Sequence, residues 1–269
     1  MEFQINHDYH IHSGLSSCSK DPEQTAQNIL KAVQKHNIKE LCLTDHFWDS
    51  DVEGASDWYK PQNYEHIASA LPLPQGEDTR FYFGCETDMD RNMRLGIAPD
   101  KYDKFDFIIV PTTHLHMSIA IDKEKVLSND IKRRSEIYVE RFGALLDMDL
   151  PFEKVGVAHL TCPLIAKGEW AWHIGVINLI SDSTFGELFS RAAKVGIGIE
   201  INLPFNQYAP DEVDEIMRPY VIAKKCGCRF YIGSDAHHIE SFEDVYESRK
   251  NAVKYLGLTE KDRFKIERR

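Results

Sequence analysis

The sequence has no apolar run near the roughly 20 residues that a bilayer span requires, so a membrane protein is not expected. Its first residues, Met1 to Asp8, lack the basic head and apolar stretch of a signal peptide. Cysteine is scarce, six in 269 residues, and no two form a CxxC pair. That spacing excludes a zinc ribbon and a disulfide framework, and reduced thiols of a cytoplasmic protein are expected. Positive charge is also in short supply: 32 Lys and Arg stand against 43 Asp and Glu, a net charge of −11. A broad cationic footprint for nucleic acid is therefore disfavoured. The basic tail at 261–269 is expected to be solvated. No low-complexity tract or linker divides the chain, so residues 1–269 are expected to form a single domain. Nothing in the sequence sets an oligomeric state.

What is present is an alternation of short apolar runs with helix-like segments. The runs are 3–11, 39–45, 80–86, 105–111, 154–160, 196–202 and 229–235. Continuous β-branched and aromatic stretches such as Phe107-Ile108-Ile109-Val110 suit strands buried on both faces, as in a parallel sheet. Asp21-Pro22-Glu23 carries the signature of a helix start, and that helix is expected to end near Asn37. Further helices are expected near 61–71, 122–147, 183–195, 211–226 and 240–256. Gly196, Gly227 and Gly257 stand where helix C-termini fall. The segments 47–60 and 161–182 show no clear element and are long for connections. The alternation predicts an α/β barrel or a doubly wound sheet.

The C-terminal ends of the runs carry the chemistry. They read His10-Ile11-His12, Thr44-Asp45-His46, Gly84-Cys85-Glu86, Thr112-Thr113-His114, Ala158-His159, Glu200-Ile201-Asn202 and Gly233-Ser234-Asp235-Ala236-His237. In α/β barrels this rim holds the active site. Imidazole and carboxylate suit zinc, manganese or iron. His10 and His12, two apart on a strand, point to one face and can reach one ion. Asp8, in phase with them, is expected to hold a ligand ring by hydrogen bonding, and Asp45 to serve in the same supporting way. A carboxylate such as Glu86 can bridge two ions, and paired metals suit phosphate-ester hydrolysis.

This motif series, from Asp8 to His237, resembles that of the PHP (polymerase and histidinol phosphatase) family, and the length is similar to its free-standing histidinol-phosphatase branch. The resemblance implies a distorted seven-stranded (β/α)7 TIM-like barrel holding two or three divalent transition metal ions. Carried over by motif, one ion would take His10, His12, Glu86 and Asp235, and a second Glu86, His114 and His159. A third would take His46, His237 and a residue from the loop after the HxH motif. Relatives place Asp or His in that loop; this chain has Cys18 and Ser19, with Asp21 the nearest acid. Cys18 and Asp21 both stand as candidates. Thr161-Cys162 after His159, where relatives often have Pro-Asp, and the extra imidazole His116 are further departures.

The implied activity is hydrolysis of a small phosphomonoester, histidinol phosphate foremost, by a hydroxide bridging two metals, with Glu86 at the centre. His116 or His238 is expected to supply the leaving-group proton. Arg91 and Arg94 are expected to grip phosphate, and Lys167, Trp170, Trp172 and His173 to cover the substrate. His7, His36 and His66 are expected to be incidental. Competing readings are a phosphatase for another sugar, nucleotide or amino-alcohol phosphate, an amidohydrolase-type deacylase, a proofreading exonuclease and a non-catalytic metal-binding module. The acidic total does not oppose a small anion, because three divalent ions would outweigh two ligand carboxylates in the pocket.

Overall fold

The computed structural model describes residues 1–267. Its strands are β1 His7–Ile11, β2 Glu40–Leu43, β3 His46–Phe47, β4 Arg80–Thr87, β5 Phe107–Pro111, β6 Val155–Ala158, β7 Gly198–Ile201 and β8 Arg229–Ile232. All pairings are parallel, in the order β1-β2-β4-β5-β6-β7-β8, and the two-residue β3 pairs with β4 and prolongs the line of β2. The result is a nearly closed barrel of seven parallel strands surrounded by helices. The expected architecture is the observed one.

Closure between β8 and β1 is made at the rim only. Asp235 N–H donates to the His10 carbonyl at 2.8 Å and His12 N–H to the Ala236 carbonyl at 3.1 Å. Deeper in the seam the Ile232 N–H donates instead to the His7 ring at 3.0 Å. His7 is fully buried there and is not incidental: its ring substitutes for a missing rung of the ladder. Burial, then Arg263, holds His7 well below the ordinary histidine range, so the ring stays neutral and able to accept.

The helices are α1 Ala26–Gln34, α2 Tyr64–Ala68, α3 Ile131–Leu146, α4 Trp170–Leu179, α5 Asp182–Val195, α6 Pro210–Lys225 and α7 Phe242–Leu256. Three expectations are corrected. The first helix starts at Thr25, whose side chain accepts from the Asn28 N–H, and not at Asp21. The helix expected at 122–147 is shorter, because Asp130 caps it by accepting from the Arg133 N–H. The segment 161–182, read as structureless, contains α4. Gly196 and Gly257 do end α5 and α7 in the left-handed conformation.

Apolar side chains fill two layers. One lies between barrel and helices; the other, inside the barrel, contains Tyr9, Tyr82, Phe107, Ile109 and Tyr231. The tail completes the second: Phe264 and Ile266 are buried in it, and Arg263 donates to Asn6 and Glu40. The basic tail is therefore a plug rather than a solvated end, with Arg268 and Arg269 outside the described residues. Among the described residues, no helix is long and apolar enough to cross a membrane.

Candidate metal centre

Each strand of a parallel barrel ends on the same rim, so side chains far apart in sequence converge there. A register shift in β1 between Asp8 and Ile11 lets Tyr9 face the barrel interior while His10 and His12 reach the rim cluster. Their Nε2 atoms stand 3.1 Å apart. Glu86, at the end of β4, lies in the middle. Its Oε2 is 3.1 Å from His46 Nδ1, 3.3 Å from His12 Nε2 and 3.6 Å from His10 Nε2. Its Oε1 faces the other way, 3.7 Å from His159 and 3.9 Å from His114. Asp235 spans the groups similarly, with Oδ1 3.4 Å and 3.2 Å from His10 and His12 and Oδ2 3.3 Å from His159.

His159 and Asp235 have φ of 48° and 57°, a conformation unusual for residues other than glycine. Both are rim residues, where such backbone turns aim a side chain across the barrel mouth. Gly233 serves the same crowding: a Cβ there would lie 1.9 Å from Glu200 Oε1 and 2.8 Å from His10 Cβ.

Behind the cluster, hydrogen bonds set the ring orientations. His10 Nδ1 meets Glu200 Oε1 at 2.6 Å, and Glu200 Oε2 accepts the His159 N–H at 2.7 Å. His114 Nδ1 meets Asp88 at 2.9 Å; Asp88 also accepts from Tyr59 O–H and faces the buried Arg141. His12 Nδ1 meets Ser16 Oγ at 2.9 Å, and Ser16 donates to Asp45. Asp45 thus acts at one remove, through Ser16. Asp8 does not hold a ligand ring: it accepts from the Ser234 and His10 N–H groups and from Tyr246 O–H, bracing the seam.

Burial pushes Glu86 up, but the surrounding His46, His10 and His12 outweigh it and hold the carboxyl well below its ordinary range. Asp235 is held low in the same way, against burial, by His10 and His159. Conversely, burial opposes protonation of His10 and His12, yet the carboxylates win. His10 rises well above its usual value through Glu200, Asp235 and Glu86, and His12 to about 9 through Asp235 and Glu86. Two ionised carboxylates in a buried site demand compensating positive charge, which metal ions supply by displacing those protons.

The donor set fits divalent ions on two further counts. Ligand atoms each about 2.0–2.2 Å from one ion are about 3–3.5 Å apart, the separations seen around Glu86 Oε2 and Asp235. His46 Nδ1, Glu86 Oε1 and His159 Nε2 are buried without a hydrogen-bond partner; such atoms are rare unless a ligand satisfies them. The rim residues fall into the groups His10-His12-Glu86, Glu86-His114-His159 and His12-Cys18-His46-His237. A fourth, His10-His159-Glu200, has Glu200 already committed to hydrogen bonds. Asp21 joins none: it accepts from the Glu23 and Ile239 N–H groups.

A cavity of about 800 Å³ opens over the cluster. Glu86, His114, His159, Asp235, His237, Cys18 and His46 form its floor, and Trp58, His116, Met117, Ile119, Lys123 and Leu164 are among its walls. Burial keeps His116 neutral, with its pKa pushed down to about 4. The other expected substrate residues lie elsewhere. Arg94 pairs with Glu53 and Asp90, and Arg91 lines a separate shallow pocket. His173 is buried against Tyr208, Lys167 is exposed and does not line the cavity, and His238 points at Asp21. His66 is half-buried and donates to the Leu15 carbonyl, tying down the loop after His12. Trp58, Lys123, Ser16, Tyr59 and Asp88 were not singled out from sequence, and no strand-end pattern marks them.

A parallel β/α barrel with a His and carboxylate cluster at its C-terminal rim defines a barrel protein with a candidate multinuclear metal centre. Residues 8–259 match the PHP domain, and the chain belongs to that family. Comparison with curated proteins found no match. Among solved structures, the chain is similar to histidinol phosphate phosphatase from Lactococcus lactis subsp. lactis Il1403 in complex with zinc, L-histidinol and phosphate. The TM-score is 0.57 and the identity 18%, over 94% of each chain. A chain of an archaeal ribonuclease P with mature tRNA aligns at a TM-score of 0.38 and 13% identity, over 97% of each chain.

Proposed function

We propose that this protein is a metal-dependent phosphomonoesterase acting on a small phosphorylated substrate, with histidinol phosphate the first compound to assay. The observation that carries the reading is Glu86, whose two oxygens face different histidine groups, the placement of a carboxylate that bridges ions. His10, His12 and Glu86, with Asp235 beside both rings, would hold one ion, Glu86, His114 and His159 a second, and His46, His237 and Cys18 a third. Zinc, manganese and iron all suit imidazole and carboxylate. Divalent ions there supply the positive charge and Lewis acidity that phosphoryl transfer needs.

The chain's own residues do the rest. Lys123 at the cavity wall offers a cation to an approaching phosphate, a role first expected of Arg91 and Arg94. Trp58, Met117, Ile119 and Leu164 form apolar walls for the organic part of the substrate. Of the two candidates for work at the leaving group, His116 lines the cavity and His238 does not. A neutral His116 ring can hydrogen-bond a leaving oxygen there. Six free cysteines suit a reducing compartment, so the cytoplasm is the proposed location.

The test is an assay of metal-stripped and metal-restored protein against a panel of phosphomonoesters. Hydrolysis should vanish on chelation, return with zinc, manganese or iron, and be lost in Glu86→Ala and His10→Ala. Turnover that survives chelation, or activity confined to amides or DNA, would overturn the proposal.

A further inference from the structure

The group His12, Cys18, His46 and His237 differs from the rest of the cluster because it contains sulfur. Cys18 sits on the loop between β1 and α1, exposed, with Sγ 2.9 Å from His237 Nε2. The other nitrogen of that ring, Nδ1, donates to the Asp235 carbonyl at 2.8 Å, which leaves the Nε2 lone pair directed at the sulfur side. His46 is buried (6% exposed), and its Nδ1, 3.1 Å from Glu86 Oε2, makes no hydrogen bond. The loop is fixed from several directions: Ser19 Oγ donates to the His237 carbonyl, Ser17 N–H to Gln62 and His66 to the Leu15 carbonyl. Asp21, the acid carried by the same loop, is occupied by the Glu23 and Ile239 N–H groups.

We infer that Cys18 binds as a thiolate beside His46 and His237, so that this one position of the centre selects a thiophilic ion over manganese. The inference rests on the reading of the rim as a metal centre. Thiolate favours zinc and its probe cobalt(II), whereas the positions around Glu86 offer only imidazole and carboxylate and discriminate less. As the sulfur–metal bond forms, the S–H proton passes to solvent. A mixed centre follows: zinc at the Cys18 position even where manganese fills the others.

The test uses the full chain, stripped and reloaded with cobalt(II), zinc or manganese. Cobalt loading should give a thiolate charge-transfer band, and Cys18→Ser should lose the band and one bound ion by metal analysis. Cys226→Ser should keep both. Cys18→Asp, which restores a ligand, should regain the ion without the band and accept manganese at that position. Alkylation of Cys18, followed by mass spectrometry on the unmodified sequence, needs no variant: zinc should block it and manganese should not. A full metal complement with no band, or equal alkylation with and without zinc, overturns the inference. Phosphatase activity in protein lacking the band would sink only this inference, and a band in protein that hydrolyses no phosphomonoester would sink only the proposed function.

Discussion

Glu200 and Asp88 show how single residues outside the ligand set govern it. Each is buried and each holds one histidine ring, Glu200 at His10 and Asp88 at His114. Removing such a partner frees the ring to rotate and lowers its basicity. Glu200→Gln and Asp88→Asn should therefore weaken metal binding by about 10–100-fold while leaving the ligands in place. Competition titration against a chelator reads this directly; an unchanged affinity in both variants would show that the rings are fixed by packing alone. The ligand series itself was legible, because each member stands at the end of an apolar run and the barrel brings those ends together. Asp88 was not: it lies two residues beyond Glu86, past the motif, and gains its role only when His114 arrives from the next strand. Ser16 and Tyr59 are hidden for the same reason, since their partners Asp45 and Asp88 are distant in sequence.

At the scale of elements, the strands were readable, whereas α4 was not and the start of α1 was misplaced. Parallel strands buried on both faces leave an uninterrupted apolar signature. α4 leaves none of the usual helical kind, because Trp170-Ala171-Trp172-His173-Ile174 and the apolar residues that follow show no polar stripe. Asp21-Pro22-Glu23 imitates a helix start, but its carboxylate is spent on the loop that meets Ile239, and Thr25 caps the helix instead. The tail was misread from charge alone, since its apolar members alternate with basic ones: Phe264 and Ile266 point into the barrel. Phe264 packs near Phe107 and Tyr231, far from the metal rim, so Phe264→Ala should cost about 3–5 kcal/mol of stability. Urea denaturation would show this as a lowered midpoint, with metal content per folded chain unchanged. His173 supplies a pH dependence of the same kind. It joins α4 to Tyr208, just ahead of α6, and burial lowers its pKa to about 4. Unfolded, the ring titrates near 6.5, so between these values the unfolded chain binds a proton that the folded chain refuses. Stability from this site is fully present above about pH 6.5 and falls as the pH drops toward 4. Melting curves of metal-free protein across that window should be flatter in His173→Phe than in the parent chain; identical slopes would remove His173 from the account.

For the whole molecule, the net charge of −11 and the composition of the rim act on different lengths. The surface charge is screened within about 8–10 Å at physiological salt, whereas His10, His12 and Glu86 are buried and interact at close range. A protein of this design carries a standing cost when its ions are removed: Glu86 and Asp235 stay ionised, and protons on His10 and His12 must serve in place of metal. These ligands come from β1, β4 and the turn after β8, so ions held there tie together strands from opposite ends of the sequence, including the seam that hydrogen bonds close only at the rim. Binding confined to the folded state adds about 2.7 kcal/mol at a free-ion concentration 100 times the dissociation constant. For a chain of this size that corresponds to about 5 °C in melting temperature for each such site. Chelation should lower the melting temperature by that order, and zinc titrated back should restore it in a concentration-dependent way. In His10→Ala the response to zinc should shrink, because a ligand on the closing strand is gone. A melting temperature indifferent to both chelator and zinc would mean that the rim holds no ion in solution, and the electrostatic argument for the centre would fail with it.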